Sequence, residues 1–230
     1  MVKCRKLSAS SPTDSAWRSK HFIAWTELGY SVTDVKLGYY VTFEKTTINQ
    51  IAATIEKKSA NQSTYIIRPI DFDDAREVIG LYQQLFAETD YLEYGQNEFN
   101  ISVQGFRKLI AQWKSDNSSI ILIAIIDGEI GGVISIMGNT VLRTKHRASI
   151  KMGVLEKFAH KGIGTSLISE AEKWAHSKNI TRLELSVFKT NQKAISLYKK
   201  FGFTIEGERK KSIKINSSYI DELYMSKIFD

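Results

Sequence analysis

Apolar positions follow two rhythms along this chain, one of period two and one of period 3.6. Residues 119–126 and 129–137 are two apolar runs flanking Asp127-Gly128, a pair that favours a type I′ hairpin turn. Residues 64–70, 146–155 and 182–188 carry further strand-like runs. Helical stripes appear at Val78, Leu81, Tyr82 and Leu85, and again at Val103, Phe106, Leu109, Ile110 and Trp113. Residues 165–178 place Leu167, Ile168, Ala171, Trp174 and Ala175 on one helix face, and residues 191–200 read as a last helix. Asp74, three residues before Glu77, reads as a helix start whose carboxylate binds a free backbone N–H. Residues 203–214 and 218–229 read as a closing antiparallel pair.

From residue 64 the predicted order is β-α-α-β-β-β-α-β-α-β-β. Hairpins and crossovers in one chain predict an α/β molecule with a mixed sheet and helices on its faces. The first quarter is less regular. Residues 30–43 are rich in β-branched and aromatic side chains and predict one or two short strands. Ile48, Ile51, Ala52 and Ile55 have helical spacing, so a short helix is expected over 48–57. The polar residues 57–63 read as a linker. The expected organisation is an N-terminal extension or small domain over 1–63, with no chemical motif, and a principal domain over 64–230.

Composition narrows the classes. The chain has 230 residues, 43% hydrophobic and 25% charged, which excludes a disordered or collagenous chain. Its one cysteine, Cys4, excludes a disulfide framework and points to a reducing, cytoplasmic setting. No metal site is expected, because His21, His146, His160 and His176 lack ligand-like spacing. The longest apolar run, 120–126, is far too short for a bilayer, and no apolar segment follows the N-terminal Lys3, Arg5 and Lys6. No membrane partner is therefore expected. A net charge of +7 fits an anionic partner such as a phosphorylated ligand, nucleic acid or an anionic surface, and equally a solvated surface with some excess lysine. Residues 1–63 hold nine Lys/Arg against five Asp/Glu, so much of the excess lies there.

The sharpest chemical signal lies at residues 154–165, Val-Leu-Glu-Lys-Phe-Ala-His-Lys-Gly-Ile-Gly-Thr, joining a strand to a helix. Gly162 and Gly164 fall where the helix begins. The first helical amides have no intrahelical partner, the dipole adds positive charge, and glycines let an anion come close. That combination suits a phosphate or pyrophosphate, with Lys157, His160 and Lys161 adding positive character. Ordinary turn chemistry explains the same glycines, and neither a Walker nor a Rossmann glycine pattern is present.

With this loop, residues 64–229 resemble the GNAT superfamily of N-acetyltransferases. The predicted element order is that family's order, and Gly162 and Gly164 match the glycines of its Arg/Gln-x-x-Gly-x-Gly/Ala signature. Ala159 replaces the Arg or Gln, and His160 stands where glycine is common, so one side-chain contact to the cofactor is lost while the backbone amides remain. Residues 191–203, Asn-Gln-Lys-Ala-Ile-Ser-Leu-Tyr-Lys-Lys-Phe-Gly-Phe, are similar to the family's Asn-x-x-Ala-x-x-Leu-Tyr-x-x-x-Gly-Phe segment.

The resemblance implies an acyl-CoA N-acyltransferase fold and acetyl transfer from acetyl-CoA to an amine. It implies that Met152, Gly153 and Val154 line the pantetheine arm, with the Val154 N–H as oxyanion donor. It implies that His160, Lys161, Gly162, Ile163, Gly164 and Thr165 hold the pyrophosphate, that Asn191 contacts the arm, and that Tyr198 is the acid toward the sulfur. No carboxylate on the strand before Glu156 offers a general base. Read from the residues alone, Tyr198 is a core aromatic with a satisfied hydroxyl, and it is the glycine loop that reverses that balance. Glu88, Asp90, Glu93 and Glu98 among Tyr91, Tyr94 and Phe99 make an acidic aromatic loop suited to a cationic acceptor, or a solvated loop.

The expected acceptor is the primary amine of a small molecule, such as an amino acid or polyamine, and a homodimer is compatible with this reading. The alternatives are acetylation of a protein N-terminus or lysine, and a non-catalytic acyl-CoA-binding module whose basic N-terminal segment binds a partner. Nucleic acid is not the expected partner, since no zinc-finger or clear helix-turn-helix pattern is present.

Overall fold

The computed structural model describes residues 33–35, 38–40, 55–58, 64–96 and 98–229. The chain divides into two compact units, 1–51 and 52–230. In the first, β1 (Thr33–Val35) and β2 (Gly38–Tyr40) form an antiparallel hairpin, as the β-branched and aromatic residues there predict. Cys4, His21 and the basic residues 3–6 lie outside the described residues.

The second unit starts before the polar stretch, because β3 (Ile55–Lys58) pairs antiparallel with β4 (Thr64–Pro69). The helix expected over 48–57 is corrected there: residues 55–58 are a strand, and residues 48–54 lie outside the described residues. A waiting strand edge outweighs four residues of helical spacing.

Two helices follow, α1 (Ala75–Glu88) and α2 (Val103–Asp116), then the strands β5 (Ser119–Ile126), β6 (Glu129–Gly138) and β7 (Arg147–Val154). A 3-10 turn at Glu156–Phe158 leads to α3 (Ile163–Ser177), β8 (Arg182–Phe188), α4 (Gln192–Lys200), β9 (Thr204–Ile215) and β10 (Ser218–Ile228). The β5–β6 turn has positive φ at both Asp127 (51°) and Gly128 (85°), the geometry a type I′ turn demands.

The start of α1 corrects one expectation. Asp74 makes no side-chain cap to its helix. Its carboxylate takes two bonds from Arg68, at 2.6 and 2.8 Å, and one from the Asp71 N–H at 2.7 Å. Burial alone would raise this carboxyl, but the Arg68 and Asp71 bonds hold it below its ordinary value.

The strands β3 to β10 form one sheet in the order β3-β4-β5-β6-β7-β8-β10-β9. Helices cover both faces. On β6, Ser135 meets the Tyr82 hydroxyl of α1 at 3.1 Å, whereas a Cβ on Gly132 would touch Ile163 and Leu167 of α3 at 3.2 and 3.3 Å. Positions 132 and 135 differ by an odd number, so α1 and α3 lie on opposite faces. The core between them is mostly aliphatic, with Ile123, Ile134, Ile136, Leu167, Ile168 and Leu183 fully buried. Each such side chain contributes roughly 1.5–3 kcal/mol of transfer free energy.

Candidate active site

All the described neighbours in this sheet run antiparallel except β7 and β8. Their parallel ladder has three rungs, Arg147↔Arg182, Ala148↔Leu183 and Ser149↔Glu184. Beyond Ser149 and Glu184 the strands part. β7 stays paired with β6 up to Val154, and β8 stays paired with β10 up to Phe188. Each strand follows its other neighbour, and a cleft of about 870 Å³ opens between them.

The inner edge of β7 is left with free backbone groups. The Leu155 N–H donates to Gly131 on β6 at 2.9 Å. Backbone groups alternate along a strand, so those of Met152 and Val154 face the cleft and those of Gly153 face β6. The register at Gly153 is unbroken, so there is no bulge. Its missing side chain makes room for α1, since a Cβ there would lie 2.7 Å from Leu85 Cδ1.

The α3 N-terminus closes one end of the cleft. Gly162 caps the helix in the left-handed conformation (φ 81°), and the Ser166 N–H donates to its carbonyl at 3.0 Å. Ile163, Gly164 and Thr165 then have amides with no helical acceptor. His160 is also left-handed (φ 61°), so the chain turns sharply twice just before the helix. Gly164 is where chains pack closely: a Cβ would meet Leu197 Cδ2 at 3.3 Å and Met152 Cε at 3.6 Å. Tyr65 Oη and Ser166 Oγ, 2.7 Å apart, tie the first turn of α3 to β4.

Asn191 caps α4 through its side-chain oxygen, which accepts the Ala194 N–H at 3.1 Å, leaving its amide NH2 free to donate. Tyr198, on the same helix, is 7% exposed, and its ring packs 5.7 Å from that of Phe203. Burial pushes its hydroxyl up to about 12, so it stays protonated at neutral pH. Among the described residues nothing hydrogen-bonds that hydroxyl, yet it is not sealed in the core, and Tyr198 lines the cleft. The reading of Tyr198 as a core aromatic holds for its ring, whereas a satisfied hydroxyl does not match this arrangement.

Of the residues singled out in the sequence, Met152, Gly153, Val154, His160, Gly162, Ile163, Gly164, Thr165, Asn191 and Tyr198 all line this one cleft. Lys161 sits beside it, its ammonium 5.2 Å from the Phe158 ring centroid. Glu156 is exposed on the 3-10 turn, away from the lining. The acidic loop after α1 is largely spoken for. Glu88 accepts the Glu156 N–H at 2.9 Å, Glu98 accepts the Gly95 N–H at 2.7 Å, and Glu93 pairs with Lys151.

Sequence reasoning missed Lys193, Glu222, Arg209 and Tyr224, which also line the cleft. Lys193 had a signal, because a cation in a first helical turn opposes the dipole. The other three had none, because β9–β10 pairing brings them to the site.

A glycine-capped helix start, a parallel pair that splits and the Tyr198 phenol thus meet around one cleft. The model of the acetyltransferase (GNAT) family matches residues 77–203, more than half of the chain. The chain belongs to the GNAT family. GNAT enzymes are acetyl-CoA-dependent acyltransferases, and this chain is one by membership. It is similar to the L-amino acid N-acetyltransferase AaaT of Escherichia coli, with 34% identity over 111 residues, covering 46% of this chain and 67% of that one. It shares 26% identity over 160 residues with the E. coli spermidine N(1)-acetyltransferase, covering 69% and 83%. A solved GNAT acetyltransferase from Streptococcus pneumoniae superposes with a TM-score of 0.69 at 28% identity, over 72% of this chain and 99% of that one. No helix among the described residues of this GNAT chain is long and apolar enough to cross a membrane.

Proposed function

We propose that this protein acetylates the primary amine of a small molecule. One observation carries the reading: the free backbone edge at Val154 and the unpartnered Tyr198 hydroxyl open onto the cleft that the α3 N-terminus closes. The relatives named for amino-acid and spermidine acetylation support a small acceptor.

The residues fit acetyl-CoA. The amides of Ile163, Gly164 and Thr165, in the loop curled by His160 and Gly162, hold the pyrophosphate, and Lys161 adds charge beside them. Met152, Gly153 and Val154 form the strip for the pantetheine arm, met by the outward backbone groups of Met152 and Val154 and by the Asn191 amide. When bound, acetyl-CoA supplies a thioester carbonyl for the amine and a thiolate as leaving group. The Val154 N–H stabilises the charge that develops on the carbonyl oxygen. Tyr198 gives its proton to the departing sulfur and is reprotonated from solvent, while the attacking nitrogen releases a proton to solvent. C–N bond formation and C–S cleavage then balance, giving one amide and one thiol. Holding amine and thioester side by side is the larger contribution, since it removes the entropy of encounter.

Thiol release from acetyl-CoA, measured across amino acids, polyamines and lysine-containing peptides, tests the reading. Release with free amines and none with peptides is expected. Release with peptides alone, or with no amine at all, overturns it.

A further inference from the structure

The acceptor end of the cleft is built by the last hairpin, and its charges are unevenly satisfied. Arg209 on β9 and Glu222 on β10 are directly opposed partners in the ladder. Such pairs share a sheet face with their side chains roughly 5 Å apart at Cβ. Both line the cleft. Glu222 is 9% exposed, and one of its carboxylate oxygens accepts the Ser212 hydroxyl. Among the described residues nothing bonds its other oxygen, which is not sealed in the core, and Glu222 lines the cleft.

Arg209 is also left over. Among the described residues no carboxylate lies within ion-pair distance of it. Its guanidinium sits over the Tyr224 ring, 5.3 Å from the centroid, which fixes its direction without neutralising it. The neighbouring acids are committed elsewhere. Glu208 takes Lys189 and Lys210, both at 2.6 Å, and Asp221 takes the Lys211 N–H at 2.8 Å. The site thus presents one open carboxylate oxygen beside one unpaired guanidinium. A wall adjoins them, where Phe188 opposes Glu222 across the β8–β10 ladder and meets the Tyr91 ring edge-on at 6.2 Å.

We propose that Arg209 and Glu222 form a zwitterion clamp that selects an α-amino acid as the acceptor. The guanidinium takes the carboxylate in its two-pronged fork, and the open Glu222 oxygen takes the ammonium beside it, which gives one proton to solvent before the neutral amine attacks and a second after the C–N bond forms. The Tyr91–Phe188 wall meets the amino-acid side chain. A polyamine carries a second cation where the carboxylate belongs, and Arg209 repels it, so the clamp rejects as well as selects. The inference rests on the acetyltransferase reading above and names its substrate class.

The test compares kcat/KM of the full chain for an L-amino acid, its decarboxylated amine and spermidine, in wild type, Arg209→Gln and Arg209→Lys. The amino acid is expected to win by about tenfold or more over both amines in wild type. Arg209→Gln is expected to bring the amino-acid to amine ratio to near one, mainly through KM, and Arg209→Lys to recover part of it. Acetyl-CoA affinity by calorimetry confirms that each variant is folded. Equal losses for amino acid and amine in Arg209→Gln, or a wild-type preference for spermidine, overturn the clamp and leave the acetyltransferase reading standing. No thiol release with any amine, in protein that binds acetyl-CoA, overturns both.

Discussion

Ser149 and Glu184 face each other on the last rung of the β7–β8 ladder, and the site begins where they stop. Glu184 is buried and takes the Arg182 Nε at 2.8 Å, with Arg147 at 3.7 Å, so a charged cluster locks the closed end. The split is a fixed feature, held open by the ladders to β6 and β10 rather than by any loop.

Tyr198→Phe removes a hydroxyl that bonds to nothing among the described residues while keeping the ring against Phe203. Turnover is expected to fall about a hundredfold if the phenol is the acid. Thermal stability and acetyl-CoA affinity stay near wild type. Steady-state kinetics with calorimetry check this, and unchanged turnover means that water protonates the sulfur.

Gly164→Val places a branched side chain against Leu197 and Met152 in the first turn of α3, where the pyrophosphate is proposed to sit. Acetyl-CoA affinity is expected to weaken by about tenfold or more, corresponding to ~1.4 kcal/mol or more. Titration calorimetry reads the change directly, and wild-type affinity would move the pyrophosphate elsewhere.

Gly80→Ala should stabilise. Gly80 is exposed within α1, and a Cβ there meets nothing within 4 Å. Mid-helix glycine costs roughly 0.5–1 kcal/mol against alanine, so unfolding in urea should shift up by about that amount with activity unchanged.

Acid should erode the outer edge of the sheet. Glu206 accepts Arg182 at 2.9 Å and the Ser226 hydroxyl at 2.7 Å, and these bonds bring its carboxyl down from 4.5 to about 2. A carboxyl lowered in the folded state contributes above its unfolded value and loses that contribution as pH falls from 4.5 toward 2. The group is partly exposed, so the effect is modest. Urea midpoints should therefore fall less steeply with acid in Glu206→Gln than in wild type. Parallel slopes would show that the pair does not contribute.

What could be read from sequence was local. Asp127-Gly128 marked its own turn, the 3.6-residue stripes marked α1 to α4, and Gly162, Gly164, Asn191 and Tyr198 sat at spacings that a strand–helix unit carries with it. Where a distant partner competes, local reading failed. Residues 55–58 became a strand because β4 offered an edge, and Asp74 turned from its helix because Arg68 offered a bidentate charge. The opening between β7 and β8, the exposed edge at Val154, and the opposition of Arg209 to Glu222 exist only once strands far apart in the chain are paired. Periodicity records which face a residue shows, whereas register and divergence are settled by long-range hydrogen bonding, which no short stretch of residues encodes.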